Sequence, residues 1–150
     1  MQNLLNNIKF DYVAAAVSAG SSIDNDSAIV DTQGYEGVLF WTTITDSVDT
    51  GVATMTIEQN TANSGTGMAA LSGAAASATS AANDDLNGKL LLVDVYRPRE
   101  RYVRANRTSA TANIAYGECV AILYGGIKQP VSQAAADVAD SAVVASPAEA

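Results

Sequence analysis

Residues 36–45 read EGVLFWTTIT, a run rich in β-branched and aromatic side chains. Such side chains favour strands, and the run alternates with the period of a strand. Val38, Phe40 and Ile44 share one parity, whereas Leu39 and Trp41 share the other. Because both parities are apolar between positions 38 and 41, we expect a central strand covered on each side, with Trp41 buried.

A turn and a second strand follow this run. Residues 46–51 (DSVDTG) carry turn formers, and residues 52–58 read VATMTIE. In the second run Ala53, Met55 and Ile57 share one face, with polar side chains between them. The two runs therefore predict an antiparallel hairpin whose inward face includes these three residues.

Further strand patterns continue to residue 124. Clear runs occupy residues 89–96 (KLLLVDVY), 101–107 and 111–124, and weaker ones occupy residues 11–17, 27–32 and 68–72. Residues 61–82 are almost all small or polar, which predicts a loop region around one or two weak strands. Since no helical pattern alternates with the strands, we predict an all-β fold: an antiparallel β-sandwich or a jelly-roll-like barrel with extended N- and C-terminal arms.

Composition divides the chain into three parts. Residues 1–22 are predicted to form an N-terminal arm and a candidate first strand, and residues 23–130 the β-sandwich domain. Residues 131–150 are Ala-rich and acidic, without a large side chain, and they cannot bury enough surface to fold alone. We therefore expect a tail, or an arm laid on a neighbouring molecule. The chain has one Trp, two Phe and three Met, a thin core that shared burial in an oligomer would supplement.

The charge balance excludes several classes of partner. The chain has 16 acidic and 8 basic residues, a formal net charge of −8. Such a chain repels nucleic acids and anionic lipids, so neither is an expected partner. No apolar stretch reaches the roughly 18 residues needed to span a bilayer.

The residue types argue against catalysis. Histidine is absent, which removes the usual general base and the commonest metal ligand. No phosphate-binding loop, dinucleotide-binding glycine pattern or cysteine-based zinc spacing occurs. We predict that the protein is not an enzyme and uses no cofactor or metal. The single Cys119 lies in an apolar strand pattern, and we expect it to be a small buried side chain.

One segment stands apart by its charge. Five of the eight basic residues lie between positions 96 and 107, and all five are arginine, which suits bidentate pairing with carboxylates. Three interpretations stay open: a solvated hairpin paired with the chain's own acids, a subunit interface with acids of a neighbour, and nucleic-acid binding, which the acidic remainder opposes. If a strand begins at residue 101, one face carries Arg101, Val103, Ala105 and Arg107. The interface interpretation predicts these contact residues: Tyr96, Arg97, Arg99, Arg101, Tyr102, Arg104 and Arg107.

The same segment carries a family resemblance. It contains DVY at 94–96, RPR at 97–99, RYVR at 101–104 and TAN at 111–113, and the following strand ends in ILYG at 122–125. This order, a strand pair followed by a further strand, resembles a segment of small virion structural proteins of tailed bacteriophages. The motifs lie within residues 89–131, and the preceding part of the chain is compatible with the same group.

The resemblance implies a capsid decoration (cement) protein that binds the outer surface of an assembled head and stabilises it. Its implied partners are the major capsid protein and copies of itself, as a trimer, and its implied location is the capsid surface of the virion after synthesis in the host cytoplasm. Two alternatives stay open. One is a tail or neck component of a phage. The other is a carbohydrate- or ligand-binding β-sandwich module, which would need an exposed aromatic cluster.

Overall fold

The computed structural model describes residues 3–145, which form two antiparallel β-sheets and contain no helix that could cross a membrane. Their strands are, in chain order, β1 (Ile8–Ala14), β2 (Val17–Gly20), β3 (Asp24–Asp26), β4 (Val30–Asp31), β5 (Gly37–Ser47), β6 (Val52–Asn60), β7 (Ala69–Thr79), β8 (Leu90–Tyr96), β9 (Tyr102–Ala110) and β10 (Ile114–Tyr124).

The two sheets pack face to face as a sandwich. Sheet A has the strand order β1-β10-β5-β8, with β2 also paired to β10, and sheet B has the order β3-β9-β6-β7, with β4 paired to β9. The sheets are not closed into a barrel. The all-β prediction is therefore confirmed, and of its two alternatives the structure has the sandwich.

Strand β5 lies inside sheet A, between β10 and β8. Val38, Phe40 and Ile44 are buried between the sheets, as their shared parity predicts. Leu39 and Trp41 lie on the opposite face and are only half-buried. The prediction that both faces of this strand are covered is wrong for the outer face, because a sandwich has no second sheet there.

The predicted hairpin of β5 and β6 is wrong, because β5 belongs to sheet A and β6 to sheet B. The turn between them carries the chain from one sheet to the other. Ala53, Met55 and Ile57 are fully buried, in the same core as Phe40. An alternating pattern buries the same side chains whether the next strand lies beside it or across the core, so the period identifies the inward face and not the partner.

Residues 61–82, predicted as a loop region, contain the 11-residue strand β7. The weak pattern at 68–72 marks only its beginning. Its side chains are mostly Ala and Ser and give little alternation signal, but the backbone pairs with β6 regardless of side-chain size. Of the weak pattern at 27–32, only Val30–Asp31 is a strand, β4.

Both chain ends contribute to one edge of sheet A. The predicted N-terminal arm contains β1 and β2, and the backbone amide of Val131 donates to the carbonyl of Asn6 at 2.8 Å. The amide of Phe10 donates to Gln133 Oε1 at 3.0 Å, and that of Tyr12 donates to Asp137 Oδ1 at 3.2 Å. Residues 131–137 therefore lie along the chain's own β1 and not on a neighbour. Residues 1–2 and 146–150 of the predicted arms lie outside the described residues.

The guanidinium of Arg107 is fully buried between the sheets. It shares the inward parity of β9 with Val103 and Ala105, which are also buried. Its Nη1 donates to the carbonyl of Gly117 at 2.6 Å and to Thr42 Oγ1 at 3.2 Å. Since Gly117 lies in β10 and Thr42 in β5, this side chain of sheet B is bonded directly to two strands of sheet A.

The other end of the guanidinium is also held by neutral acceptors. Its Nη2 donates to the carbonyl of Ala15 at 2.8 Å and to Asn25 Oδ1 at 2.6 Å, and the group lies 5.6 Å from the ring centre of Tyr116. Burial lowers the pKa of Arg107. The prediction of Arg107 as a surface contact residue is therefore wrong, because its side chain is bonded inside the protein.

Replacing Arg107 by Met should destabilise the fold by about 3 kcal/mol, because several buried acceptors would lose their donor. The free energy of unfolding, measured by urea titration, tests this. The matched control is Arg99→Met on the exposed loop, which should change stability by less than about 0.5 kcal/mol. An equal effect of the two substitutions would contradict the role given to the buried guanidinium.

Candidate protein interface

The arginine-rich segment connects the two sheets. Residues 97–101 run from the end of β8 in sheet A to the start of β9 in sheet B. Arg97 has a left-handed backbone (φ 52°), and its amide donates to the carbonyl of Glu36 at 2.7 Å. The predicted strand pair is therefore a crossover at one end of the sandwich and not a hairpin within one sheet.

Arg101 pairs with an acid of its own chain. Its Nε and Nη2 donate to the two carboxylate oxygens of Asp31 at 2.7 and 2.6 Å. This bidentate hydrogen bond lowers the pKa of Asp31 and raises that of Arg101. The guanidinium also lies 5.1 Å from the ring centre of the half-buried Tyr102.

Arg104 pairs with two acids and is less exposed than Arg101. Its Nη1 lies 2.7 Å from Asp26 Oδ2, and its Nε lies 2.6 Å from Glu58 Oε2. The Arg104 side chain is 16% exposed, so these pairs are partly shielded from water. Arg101 and Arg104 therefore follow the interpretation in which the arginines pair with the chain's own acids.

Three predicted contact residues remain available at the surface. Arg97 is exposed, stacks 5.0 Å from the ring centre of Tyr96, and comes no nearer than 3.9 Å to the carboxylate of Glu36. Arg99 is exposed and forms no ion pair with any of residues 3–145. Arg97 and Arg99 border a cleft of about 460 Å³ that Thr32 and Tyr35 also line. Of the seven predicted residues, Tyr96, Arg97, Arg99 and Arg101 are exposed, and among these Arg101 is held by a close ion pair.

Beside this group, the outer face of sheet A carries large apolar side chains in cross-strand rows. Tyr12, Val120, Trp41 and Leu92 are opposite one another across β1, β10, β5 and β8, and Phe10, Ile122 and Leu39 form the next row. Four residues of this surface are about half exposed: Tyr12 (48%), Leu90 (52%), Leu92 (53%) and Tyr96 (58%). We call this surface the apolar face; its residues are Phe10, Tyr12, Leu39, Trp41, Leu90, Leu92, Tyr96, Val120 and Ile122.

The C-terminal segment borders the apolar face on one side. Residues 137–141, together with Tyr12, Trp41 and Val120, line a groove of about 480 Å³. The indole ring of Trp41 thus lies at a surface. Its assignment to a buried strand is wrong, because the odd-numbered side chains of β5 point away from the core.

Two patterns in the sequence indicate the apolar face. Both parities are apolar at residues 38–41, and residues 90–92 are three successive leucines. In an antiparallel sheet one face is commonly solvated, so apolar residues on both parities imply a second contact surface. The same pattern is also typical of complete burial within one molecule, which is the expectation for residues 38–41 that the structure corrects.

The structure shows where the groups with reactive chemistry lie. Among residues 3–145, no group of three or more acidic or sulfur ligands is placed to hold a metal ion. Cys119 is buried, as predicted, and burial raises the pKa of its thiol to about 11. A thiol with such a pKa is protonated at neutral pH and a poor nucleophile.

Comparison with models of known protein families found no match, and comparison with curated proteins found no significant similarity. The resemblance to virion proteins is therefore carried by the sequence motifs alone.

The pairing of Asp31 with Arg101 predicts a pH dependence. Because the folded-state pKa of Asp31 is lowered from 3.8, the stability that the pair contributes is present above 3.8 and lost as the pH falls through the lower, folded-state value. The wild type should therefore melt slightly higher than Asp31→Asn at neutral pH, and the difference should vanish in strong acid. Thermal melts of both proteins at matched pH values test this. A constant difference down to about pH 2 would show that the charge of Asp31 is not its cause.

Proposed function

We propose that this chain is a non-enzymatic structural protein of a phage virion, a capsid decoration protein that binds the outer surface of the assembled head and stabilises it. The observation that carries the proposal is the exposed apolar face of sheet A, bordered at one end by Arg97 and Arg99. The motifs at residues 94–113 supply the virion setting, and the missing histidine supports a role without catalysis.

The chemistry of this surface suits a protein partner. Tyrosine and tryptophan are enriched among the side chains that supply most of the energy in interface centres, and the half-exposed leucines beside them add apolar area. Arg97 and Arg99 can form charge-assisted bonds at the rim with acids of the major capsid protein. Single contacts of this kind are weak, but copies spread over a repeating lattice gain strength by avidity.

Oligomerisation and location are parts of the same proposal. The resemblance implies a trimer, and the mass of the purified protein tests that state. A tail or neck component would use the same kind of surface, so chemistry does not distinguish it from a decoration protein. The number of copies per virion does, because a decoration protein coats the lattice of the head.

The groove beside Trp41 and Tyr12 favours a second candidate of another class, a carbohydrate- or ligand-binding module. Aromatic side chains next to a concave surface suit sugars and small apolar ligands. Trp41 is the only tryptophan of the chain, so its fluorescence reports directly on this groove. Saturable changes with a glycan, and no binding to capsids, would favour this candidate over the first.

Leu92→Glu should weaken binding to purified capsids by at least about tenfold, because it places a charge on the apolar face at one of its most exposed side chains. Co-sedimentation with capsids that lack this protein measures the affinity. The matched control is Val48→Glu, which changes an exposed apolar residue on the turn between β5 and β6. Equal affinities of wild type and Leu92→Glu would exclude the apolar face as the docking surface.

Neutralising the free arginines should act differently from removing the apolar contact. Arg97→Gln combined with Arg99→Gln should weaken capsid binding at low salt and leave it nearly unchanged at about 1 M salt, where exposed charges are screened. The fold should be unaffected, since neither side chain has a close ion pair within residues 3–145. A loss of affinity that does not depend on salt would argue against charge pairing by these residues.

A further inference from the structure

The described residues form four sheet edges, and three of them are protected. Backbone groups at an open edge can pair with another chain, and proteins usually prevent this by capping, shortening or charging the edge. Edge strand β1 is capped by the C-terminal segment: Gln133 accepts from the amide of Phe10 and donates to the carbonyl of Ile8 at 2.7 Å, and Asp137 accepts from the amide of Tyr12.

Two further edges carry other protection. The edge made by β3 and β4 is interrupted, with strands of 3 and 2 residues, and contains Asp24, Asp26 and Asp31. The edge strand β8 contains Asp94 and is flanked by Lys89 and Arg97. Each of these edges is therefore short or charged.

Strand β7 forms the fourth edge and lacks these devices. It is 11 residues long, pairs on one side with β6, and contains no charged residue or proline. One irregularity lies at the left-handed Gly73 (φ 79°), beside the register shift between Thr56 and Glu58. From Ala75 to Thr79 the ladder with β6 is regular, so this part presents a straight, open edge.

The hydrogen bonds of β6 identify the free backbone groups of β7. The amide of Thr54 donates to the Tyr116 hydroxyl, which also donates to the carbonyl of Thr108 in β9. Thr54 therefore presents its backbone groups to β9, and its neighbours present theirs to β7, because alternate residues of a strand bond to opposite sides. The residue opposite Thr54 is Ser77. The outward-directed groups of β7 are consequently those of Ala75, Ser77 and Thr79.

We propose that β7 pairs antiparallel with β7 of a second copy of this chain, so that sheet B continues across a two-fold axis. A two-fold axis places the same strand on both sides of the contact, which makes the pairing self-complementary. Small side chains allow the close approach, and the added strand covers Leu71, Ala76 and Ala78, which face the core but are only half-buried.

Charge identifies a second copy as the occupant. The chain has a net charge of −8, so two copies repel each other over most of their surfaces. Residues 59–83 contain no charged residue at all. The open edge thus coincides with the longest segment along which two acidic copies can meet without like-charge repulsion.

The proposal is independent of capsid binding, but it predicts a dimer in place of the trimer that the resemblance implies, so the mass of the purified protein decides between these two states. Strand β7 belongs to sheet B, whereas the apolar face is the outer face of sheet A. Pairing through β7 leaves that face free, and Leu92→Glu should not change self-association. A dimer that does not bind capsids would therefore contradict only the proposed function, and a capsid-binding monomer only this inference.

The decisive substitution is Ala75→Pro, which removes an outward amide that the ladder with β6 does not use. The wild type should sediment as a dimer at micromolar concentrations, and Ala75→Pro should raise the dissociation constant at least about tenfold. The thermal melt of the variant reports on its fold. If the proline unfolds the chain, Ser77→Lys provides the second test, because Ser77 is central among the outward-directed residues and a two-fold axis there brings both new charges together.

Two controls make the result specific. Ala28→Lys adds the same charge at an exposed alanine between β3 and β4, on the opposite edge of sheet B, and should leave the dimer intact. Single cysteines at Ala75, Ser77 and Thr79 should cross-link two copies most efficiently at the position nearest the axis; the native Cys119 is buried and does not interfere. A monomeric wild type would overturn the proposal. So would an oligomer whose mass and cross-linking efficiency are unchanged by every substitution in β7.

Discussion

The guanidinium of Arg107 holds the two sheets in one arrangement. It leaves β9 of sheet B and bonds to the carbonyl of Gly117 in β10 and the hydroxyl of Thr42 in β5, while its other nitrogen reaches the carbonyl of Ala15. A sandwich held by apolar contacts alone could slide, because such contacts have little directional preference. A buried cation whose two terminal nitrogens donate to fixed acceptors has one favourable position, so it sets the relative placement of the strands. The thin apolar core of this chain makes that constraint more important.

The same side chain explains how the arginine-rich segment divides. Val103, Ala105 and Arg107 alternate inward along β9, which turns Tyr102 and Arg104 outward and brings Arg104 to the acids of the neighbouring strands. Only the crossover before β9 is free of this alternation, and there Arg97 and Arg99 remain exposed. One run of similar residues thus stabilises the interior, pairs the strands at the surface, and leaves a small basic group next to the apolar face.

Wherever large side chains alternate, the sequence predicts the strands and the face of each strand that points into the core. The faces of β5 and β6 follow from their period, and the parity of Arg107 with Val103 and Ala105 already implied an inward position. The period does not predict which strands are neighbours. Arg104, for example, pairs with Glu58 and Asp26, which lie in distant segments of the sequence. Only the beginning of strand β7 is predicted, at residues 68–72, because alanine and serine look the same in a strand and in a loop. The apolar face was visible in residues 38–41 and 90–92, but an exposed surface and a buried one give the same pattern.

The pairing of β1 with β10 has a consequence for biosynthesis. Residues 8–14 lie in register against residues 119–124, with the rest of the domain between them. Sheet A therefore cannot be completed until β10 has emerged from the ribosome. Until then β1 lacks the strand with which it pairs in the folded protein. Non-local pairing of this kind makes folding slow, because a long loop must close before any contact compensates for it. The nascent chain consequently depends on its early strands staying unaggregated until the last one arrives.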